Sequence, residues 1–578
     1  MKQKFSLLLM FGLLLGFSSC DLIDDSDPVG VIVEVTSNIT APELWSEGNT
    51  YVIDGTVRVS ADITIEPGAI IKFNEEAQLE IAYWDNENAT IKAIGTAEKP
   101  ITFTSNAANP AAGDYNGIGF YNGANNCEFV NCIFEYGGNS EYYTTIFISD
   151  TDVKFESCTF RNISNSAIRL MEDGSFTQFT NNTFNNVQKN PIEIQSNFAH
   201  SIGAGNTFNA NSRYGIQVTT PMNVAGNYTW LAHDAPYIIP SNIRVGSDGS
   251  GVNLTIEAGA TLQFGDEAEL EFAYWDTDYA KIIAKGTEQN PIRFTSNSAA
   301  PEAGDYSGLY FYKGSSNSEF EYCTFEYAGN ISSYGAIFIE ESSVKFANCQ
   351  FMHMQGNAIV LEEAGRFTTF TNNTFSQIEK NPITIRSNYA HTIGAGNTFN
   401  SGAYGIIVTQ AFDISGTYTW LKHDAPYIFE NLVRVGSAGG GVNLTISAGA
   451  TLKFMDNAGL DISYWDEHYA KLIANGTDSE PIVFTSGSPS PDKGDWNGIY
   501  FYKGVSGSIL NHCEVLYAGS SDYYGAIMLD ESGSNMVTIT NSRIAYSASY
   551  GITVDSGSSV DISTDTFDNN NGADYHER

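Results

Sequence analysis

Two pairs of acidic residues have the type and spacing needed for acid–base or metal chemistry. Glu340 and Glu362 each close a short apolar run and stand 22 residues apart. Asp530 and Asp555 hold the corresponding places later in the sequence. If the runs lie on neighbouring strands, each pair brings two carboxylates to within about 5 Å of one another. Like charges at that distance either share a proton or recruit a cation.

Three interpretations of these acids stay open. They form a solvated turn face, a calcium site, or the acid and base of a glycoside hydrolase, for which Glu340 and Glu362 are the catalytic candidates. The calcium site would draw its oxygen ligands from Glu340, Glu341, Glu362, Glu363, Asp530 and Asp555.

A Tyr-Trp-Asp tripeptide, which begins at Tyr83, Tyr274 and Tyr464, offers an aromatic ring beside a carboxylate. The alternation of the preceding strand predicts an inward tyrosine and an outward tryptophan. An outward tryptophan, with Tyr306 nearby, would stack on a sugar ring while the acid binds hydroxyl groups. Alternatively, the tryptophan packs on its own turn. The predicted ligand-binding residues are Trp84, Asp85, Trp275, Asp276, Trp465 and Asp466.

Recurring arginines and histidines favour structural roles. Arg58, Arg244 and Arg434 recur in equivalent places, which is typical of clamps between neighbouring strands. The dipeptides that begin at His233 and His423 have no serine or cysteine nearby, so a catalytic triad is not indicated.

Two cysteine pairs have a spacing that would place their members on adjacent strands. Cys132 and Cys158 are 26 residues apart, as are Cys323 and Cys349. Stacked cysteines are close enough for a disulfide, but small buried packing residues explain the same pattern. Both interpretations stay open.

The positions of these motifs follow a long internal repeat. Tyr-Trp-Asp recurs 191 and 190 residues apart, as does Gly-Asp followed by Tyr or Trp. The repeat defines a first copy over residues 45–229, a second over 230–419 and a third, shorter copy over 420–578. Such a long period implies a finer one inside it.

A finer period of 22 to 27 residues runs through each copy. In the second copy, Ile337, Ile359, Ile383 and Ile406 hold one slot of successive five-residue apolar runs. The runs are rich in Ile and Val and are bounded by Gly, Asn or Ser, which is typical of strands. Equal aliphatic slots at this spacing predict an all-β coil in which those isoleucines form one inner column.

The sequence resembles the right-handed parallel β-helix of the pectin-lyase-like superfamily. The motif T-I-x-x-G-A-x-x-x-F carries the resemblance at residues 64–73, 255–264 and 445–454. About 24 residues per turn give about 22 rungs, and a spacing of about 4.8 Å gives a rod roughly 100 Å long. We expect the three Tyr-Trp-Asp segments on one side of this rod, where they would bind a long glycan multivalently. The resemblance is nearly silent on chemistry.

The first residues resemble a bacterial lipoprotein signal. Lys2 and Lys4 precede a 13-residue apolar run, and Ser18-Ser19-Cys20 follows it like a lipobox. We expect a signal peptide over residues 1–19, a lipidated Cys20, and an acidic tether over residues 20–44. The expected location is the cell envelope, with the outer membrane favoured and surface exposure left open.

The charge of the chain limits its partners. With 28 Lys and Arg against 67 Asp and Glu, the net charge is −39, which opposes nucleic-acid binding. We expect a non-catalytic rod that binds polysaccharide or has a structural or adhesive role, because a binding rod gains from repeated sites. A carbohydrate-active enzyme, hydrolase or calcium-assisted lyase, is the alternative, and a protein partner stays open.

Overall fold

The computed structural model describes residues 30–578 except 140–143, 210–212, 331–333, 401–403, 410–414, 466, 521–523 and 533–535. The segment 1–19 and Cys20 lie outside the described residues. The described chain is a coil of parallel strands, as the repeats predicted. Each strand is followed by a turn and then by a strand of another sheet, which is the connectivity of a parallel β-helix.

One turn of the coil consists of three short strands. Thr261–Phe264, Glu269–Phe272 and Ala280–Lys285 form one such turn, and the next turn pairs with it in parallel. Alternate residues point inward, so Leu262 and Phe264 are buried.

Stacked turns build seven sheets, and three of them begin in the first copy. Sheet I contains Ile32–Val35, Thr50–Ile53, Ile70–Phe73, Ile101–Ser105, Cys132–Glu135, Thr159–Ile163 and Thr183–Val187. Sheet II contains Thr56–Val59, Gln78–Ile81, Gly117–Phe120, Ile146–Ser149, Ile168–Met171, Ile192–Gln195, Ile216–Thr219, Tyr237–Ile239, Thr261–Phe264, Ile292–Ser296, Cys323–Glu326, Gln350–Met354 and Thr374–Ile378. Sheet III contains Glu43–Trp45, Ile63–Ile65, Ile91–Ile94, Cys127–Val130, Asp152–Glu156 and Ser175–Thr180.

The other four sheets begin in the second or third copy. Sheet IV contains Gly226–Trp230, Val252–Ile256, Ala280–Lys285, Ser318–Glu321, Ser343–Ala347 and Arg366–Thr371. Sheet V contains Ile243–Val245, Glu269–Phe272, Gly308–Phe311, Ile337–Glu340, Ile359–Glu362, Ile383–Arg386, Ile406–Thr409, Tyr427–Phe429, Thr451–Phe454, Ile482–Ser486, Cys513–Leu516, Arg543–Ala545 and Thr566–Asp568. Sheet VI contains Gly416–Trp420, Val442–Ile446, Ala470–Asn475, Ser508–Asn511 and Val537–Thr540. Sheet VII contains Leu432–Val435, Gly459–Ile462, Ile499–Phe501, Ile527–Leu529, Ile552–Val554 and Tyr575–Glu577.

Short 3₁₀ helices interrupt the coil at Ala199–Ser201, Lys313–Ser315 and Ser387–Thr392. Within the described residues, none of the helices has the length and apolar character that a membrane span requires.

The predicted inner column is confirmed. Ile337 pairs with Ile359, Ile359 with Ile383, and Ile383 with Ile406, and all four side chains are buried. Phenylalanines stack in the same way in sheet II, where the ring centroids of Phe325 lie 4.8 Å from those of Phe294 and 5.1 Å from those of Phe351. The interior is therefore a set of columns in which each residue type lies over its own kind.

The paired cysteines lie on adjacent turns but carry free thiols. The register of the neighbouring strands places Cys132 beside Cys158 and Cys323 beside Cys349. All four are buried, and each Sγ donates to a backbone carbonyl, as Cys132 does to Ala93 over 3.3 Å. In this structure they act as buried packing residues.

The coil starts before the boundary at residue 45 that the repeat suggested. Ile32–Val35 pairs with Thr50–Ile53, and Glu43–Trp45 pairs with Ile63–Ile65. The latter part of the expected tether is therefore β-helix.

The strand that occupies a given sheet changes at each junction between copies. Sheet II holds the second strand of each turn in the first copy, but from Tyr237–Ile239 onward it holds the first strand of each turn. Sheet V changes in the same way at Tyr427–Phe429. The second strand therefore lies in sheet II, then in sheet V, then in sheet VII.

The recurring His-Asp dipeptides lie at these junctions. The Asp234 carboxylate accepts a hydrogen bond of 2.9 Å from the backbone N–H of Phe208, and Asp424 accepts one of 3.0 Å from that of Phe399. The acid of each dipeptide thus joins consecutive turns.

Candidate functional site

Each Tyr-Trp-Asp segment follows the second strand of a turn and leaves the core. The residue before each tyrosine has a positive φ between 52° and 64°, which turns the chain away from the strand direction. Trp84, Trp275 and Trp465 are consequently 56, 59 and 53% exposed. The outward tryptophans are as the sequence predicted.

Two details of the predicted sugar site are wrong. Tyr274 does not continue the inward alternation, because the turn at Ala273 places it half-buried outside the core. Tyr306 is fully buried and stacks on Phe264 with ring centroids 4.5 Å apart, so it cannot contact a ligand with Trp275.

An arginine supports each exposed tryptophan. The guanidinium carbon of Arg244 lies 4.2 Å from the ring centroid of Tyr274 and 5.7 Å from that of Trp275. Tyr274 and Trp275 meet edge to face at 4.8 Å. The same arrangement recurs in the other copies, and we name the three groups the first platform (Arg58, Tyr83, Trp84), the second platform (Arg244, Tyr274, Trp275) and the third platform (Arg434, Tyr464, Trp465).

A buried acid on the following turn pairs with each of these arginines. Arg58 Nε lies 2.9 Å from Glu80 Oε2, and Arg244 Nε lies 2.9 Å from Glu271 Oε2. In the third platform, the pairing acid is Asp461. Burial raises the pKa of Glu80 and Glu271, and the neighbouring arginine counteracts that rise. The expected role of the arginines as clamps between turns is confirmed.

A cleft of about 460 Å³ opens beside the second platform. Arg244 and Trp275 line it together with Ser247, Asp248 and Asp278. Burial, followed by the charge of Asp248, raises the pKa of Asp278. An aromatic ring, a guanidinium and carboxylates around one cleft can bind a hydroxyl-rich ligand by stacking and hydrogen bonding.

The acids of the tripeptides do not form a common site with the platforms of other copies. Asp85 and Asp276 are exposed. Asp466 lies outside the described residues. The expectation of three platforms on one side of the rod is wrong, because the second strand lies in sheets II, V and VII in turn.

Glu340 and Glu362 are brought together as predicted. They are directly opposite in the parallel register of Ile337–Glu340 and Ile359–Glu362. Burial, and then the charge of Glu362, raises the pKa of Glu340. The outward residues beside them, Phe338 and Val360, form a small covered cluster with Tyr310.

Basic side chains reach the acids proposed for calcium. Glu341 lies 3.4 Å from Lys313 Nζ, and Glu363 lies 2.7 Å from Arg386 Nη2. Arg578 contacts both Asp530 and Asp555, at 3.2 and 3.6 Å. Among the residues that the structure describes, no three His, Cys, Asp or Glu side chains are grouped to hold a metal ion. Calcium at these acids stays a prediction.

Sequence reasoning missed two parts of the platforms. It assigned the arginines to clamps without placing them under the tryptophans, although they stand a constant distance of about one turn before each tripeptide. It also missed Tyr279 and Tyr469, which are exposed five residues after Tyr274 and Tyr464. Their recurrence beside the tripeptide was the available signal.

Comparison with known families agrees with this architecture. The family model described as "Right handed beta helix region" matches residues 71–228, 279–399 and 334–469. The model described as "Pectate-lyase like beta helix domain" matches residues 418–559. A comparison with curated proteins finds no match. Because the first model covers more than half of the chain, the chain belongs to the right-handed β-helix family.

Proposed function

We propose that this protein is a glycan-binding rod of the cell envelope and that it binds saccharide at its three Trp platforms. The observation that carries the proposal is the set of three tryptophans, each more than half exposed and each supported by an arginine and a tyrosine. Exposed tryptophan is costly to maintain in water, and a fixed indole face is the surface on which sugar rings stack.

The surroundings of the platforms support saccharide as the ligand. The cleft beside Trp275 is lined by hydroxyl, carboxylate and guanidinium groups, which match the hydroxyls of a sugar. The net charge of −39 disfavours nucleic acid. Membership of the β-helix family is consistent with a polysaccharide-related or structural role.

Binding to a glycan array tests the proposal. The full chain should retain at least one glycan class, and the triple variant Trp84→Ala, Trp275→Ala, Trp465→Ala should lose it without a change in circular dichroism. Tyr404→Ala, an exposed aromatic residue outside the tripeptides, is the matched control and should bind normally. Unchanged binding by the triple variant would refute the proposal.

We further propose that the rod is exported and anchored through a lipid on Cys20. Support comes from Lys2, Lys4, the apolar run that follows and the small residues before Cys20. Cells fed labelled palmitate should label the wild type but not Cys20→Ser. The buried-cysteine variant Cys132→Ser should keep the label, and a labelled Cys20→Ser protein would contradict the anchor.

A carbohydrate-active enzyme is the second candidate, favoured by the register pairing of Glu340 with Glu362. The raised pKa of Glu340 suits a general acid near neutral pH. A polysaccharide panel would be assayed for new reducing ends or unsaturated uronate. Activity lost in Glu362→Gln but kept in Glu363→Gln would establish catalysis at this pair, whereas no product from any polysaccharide would remove it.

A further inference from the structure

The third platform differs from the other two in the acid that pairs with its arginine. Glu80 and Glu271 reach their arginines at 2.9 Å, but Asp461 is one methylene shorter, and its Oδ2 lies 3.8 Å from Arg434 Nε. Asp461 is 1% exposed. Within the described residues, neither its Oδ1 nor Arg434 Nε has a hydrogen-bond partner. Arg434 is therefore only loosely neutralised.

The rim of the third platform also carries different charges. Asp278 packs against Gly246 in the second platform, whereas His468 packs against Gly436 in the equivalent place. Asp248, which lines the second cleft, is replaced by Ala438 in the third copy.

One change at the rim acts in the opposite direction. Glu467 stands where the second copy has Thr277 and is exposed. The balance still favours the third platform as the less negative one, since two carboxylates are removed, one is added and the clamp is weaker.

We propose that the third platform binds an anionic sugar, with Arg434 donating hydrogen bonds to a carboxylate or sulfate, whereas the first two platforms bind neutral sugars. The inference rests on the proposed function and adds the ligand class of one site. The Arg434 side chain is 40% exposed, so its guanidinium can contact a ring that stacks on Trp465. Guanidinium binds such oxyanions through charge-assisted, often bidentate hydrogen bonds.

The ionisation of Asp461 strengthens this difference in mildly acidic solution. Burial raises its pKa to about 7, and the Arg434 charge opposes the rise. The groups that face it are Arg434 on the turn below, and Tyr500 and Tyr502 on the turn above. When Asp461 is neutral, the charge of Arg434 is uncompensated, and Glu467 and His468 at the rim complete the local set.

The test compares platforms one at a time in the full chain. Trp84→Ala with Trp275→Ala leaves the third platform, and Trp84→Ala with Trp465→Ala leaves the second. Each variant is titrated with matched oligosaccharides from the array that differ only at C6, as hydroxymethyl, carboxylate or sulfate, in about 0.15 M salt to screen the acidic surface. The carboxylate and sulfate arms distinguish the two sources of negative charge.

The third-platform variant should bind an anionic member about tenfold more tightly than its neutral partner, which is the scale of one charge-assisted hydrogen bond. The preference should grow as the pH falls from 8 to 6. Added Asp461→Asn should keep the preference at every pH, because it is permanently neutral. Added Asp461→Glu, which restores the acid of the other platforms, should remove it.

Two outcomes would overturn the inference in different ways. Equal binding of neutral and anionic members by the third-platform variant, or the same anionic preference in the second-platform variant, would refute it and leave the glycan-binding function intact. Absence of binding by both variants to every member of the series would refute both proposals together.

Discussion

Arg244 touches two kinds of partner at once, the Glu271 carboxylate on the next turn and the rings of Tyr274 and Trp275 outside the core. The ion pair fixes the guanidinium, and the guanidinium fixes the rings through cation–π contacts. A single side chain thus transmits the rigidity of the coil to an exposed indole.

Arg244→Met should destabilise the protein by about 2 kcal/mol, because it leaves Glu271 buried without its partner while Arg244 itself is half-exposed. Denaturant unfolding measures the loss. The double variant Arg244→Met, Glu271→Gln should recover most of it, since no buried charge remains. Equal losses in the single and double variants would contradict the role assigned to the ion pair.

Asp461 predicts a pH dependence of stability. Its folded pKa of about 7 lies above the unfolded value, so the folded state binds more protons between about pH 4 and 7. Stability from this group is therefore greatest at low pH and declines as the pH rises through that window. The apparent Tm of Asp461→Asn should gain about 2 °C on wild type between pH 5 and pH 8. Parallel Tm profiles for the two proteins would disprove the assignment.

The outward position of Trp84, Trp275 and Trp465 could be predicted from alternation alone. The inward position assigned to Tyr274 could not be corrected from the sequence, because a positive φ at an alanine leaves no compositional signal. The burial of Tyr306 was likewise hidden, since its stacking on Phe264 joins residues 42 positions apart.

At the scale of the strand, columns of like residues determine stability. Each inner slot of sheet V is filled from the turn below and the turn above, as Ile359 is between Ile337 and Ile383. A missing side chain leaves a cavity between two rigid turns that cannot close on it. Local damage is therefore felt where it occurs and by its immediate neighbours.

Ile359→Ala should cost about 3 kcal/mol, the usual range for emptying a closed core position. Ile94→Ala is the matched control, because Ile94 also lies in a strand but is exposed, and it should cost less than about 0.5 kcal/mol. Chemical denaturation of both variants decides the point. A similar small loss in both would mean that the column is not tightly packed.

The strands themselves were largely predictable, because apolar runs bounded by Gly, Asn or Ser recur at a nearly constant interval. The start of the coil was not, since Ile32–Val35 precedes the first recognisable repeat and lacks its motif. Its inner face is completed only by pairing with Thr50–Ile53.

For the whole molecule, the change of strand at each junction places the platforms on three different sheets. The sequence repeat predicted the count and the spacing of the platforms, but their direction depends on which strands pair across a junction. That pairing involves residues such as Asp234 and Phe208, whose contact has no local signature.

Platforms that face different ways should connect separate glycan chains rather than bind one chain repeatedly. The full protein should increase the turbidity of a solution of a long bound glycan, and single-platform variants should not. Its affinity for one isolated chain should match that of a single-platform variant within about threefold, because simultaneous engagement is geometrically excluded. A hundredfold avidity gain on isolated chains would show that the platforms act on one chain after all.

The junctions also give repeat number a second meaning. A duplication that merely lengthened a column would keep every binding surface aligned, and selection could then adjust only reach. Here each added unit would instead turn its own surface to the next side of a three-sided body, so that gene duplication changes bearing as well as height. A fourth unit would bring the sequence of directions back to its starting side.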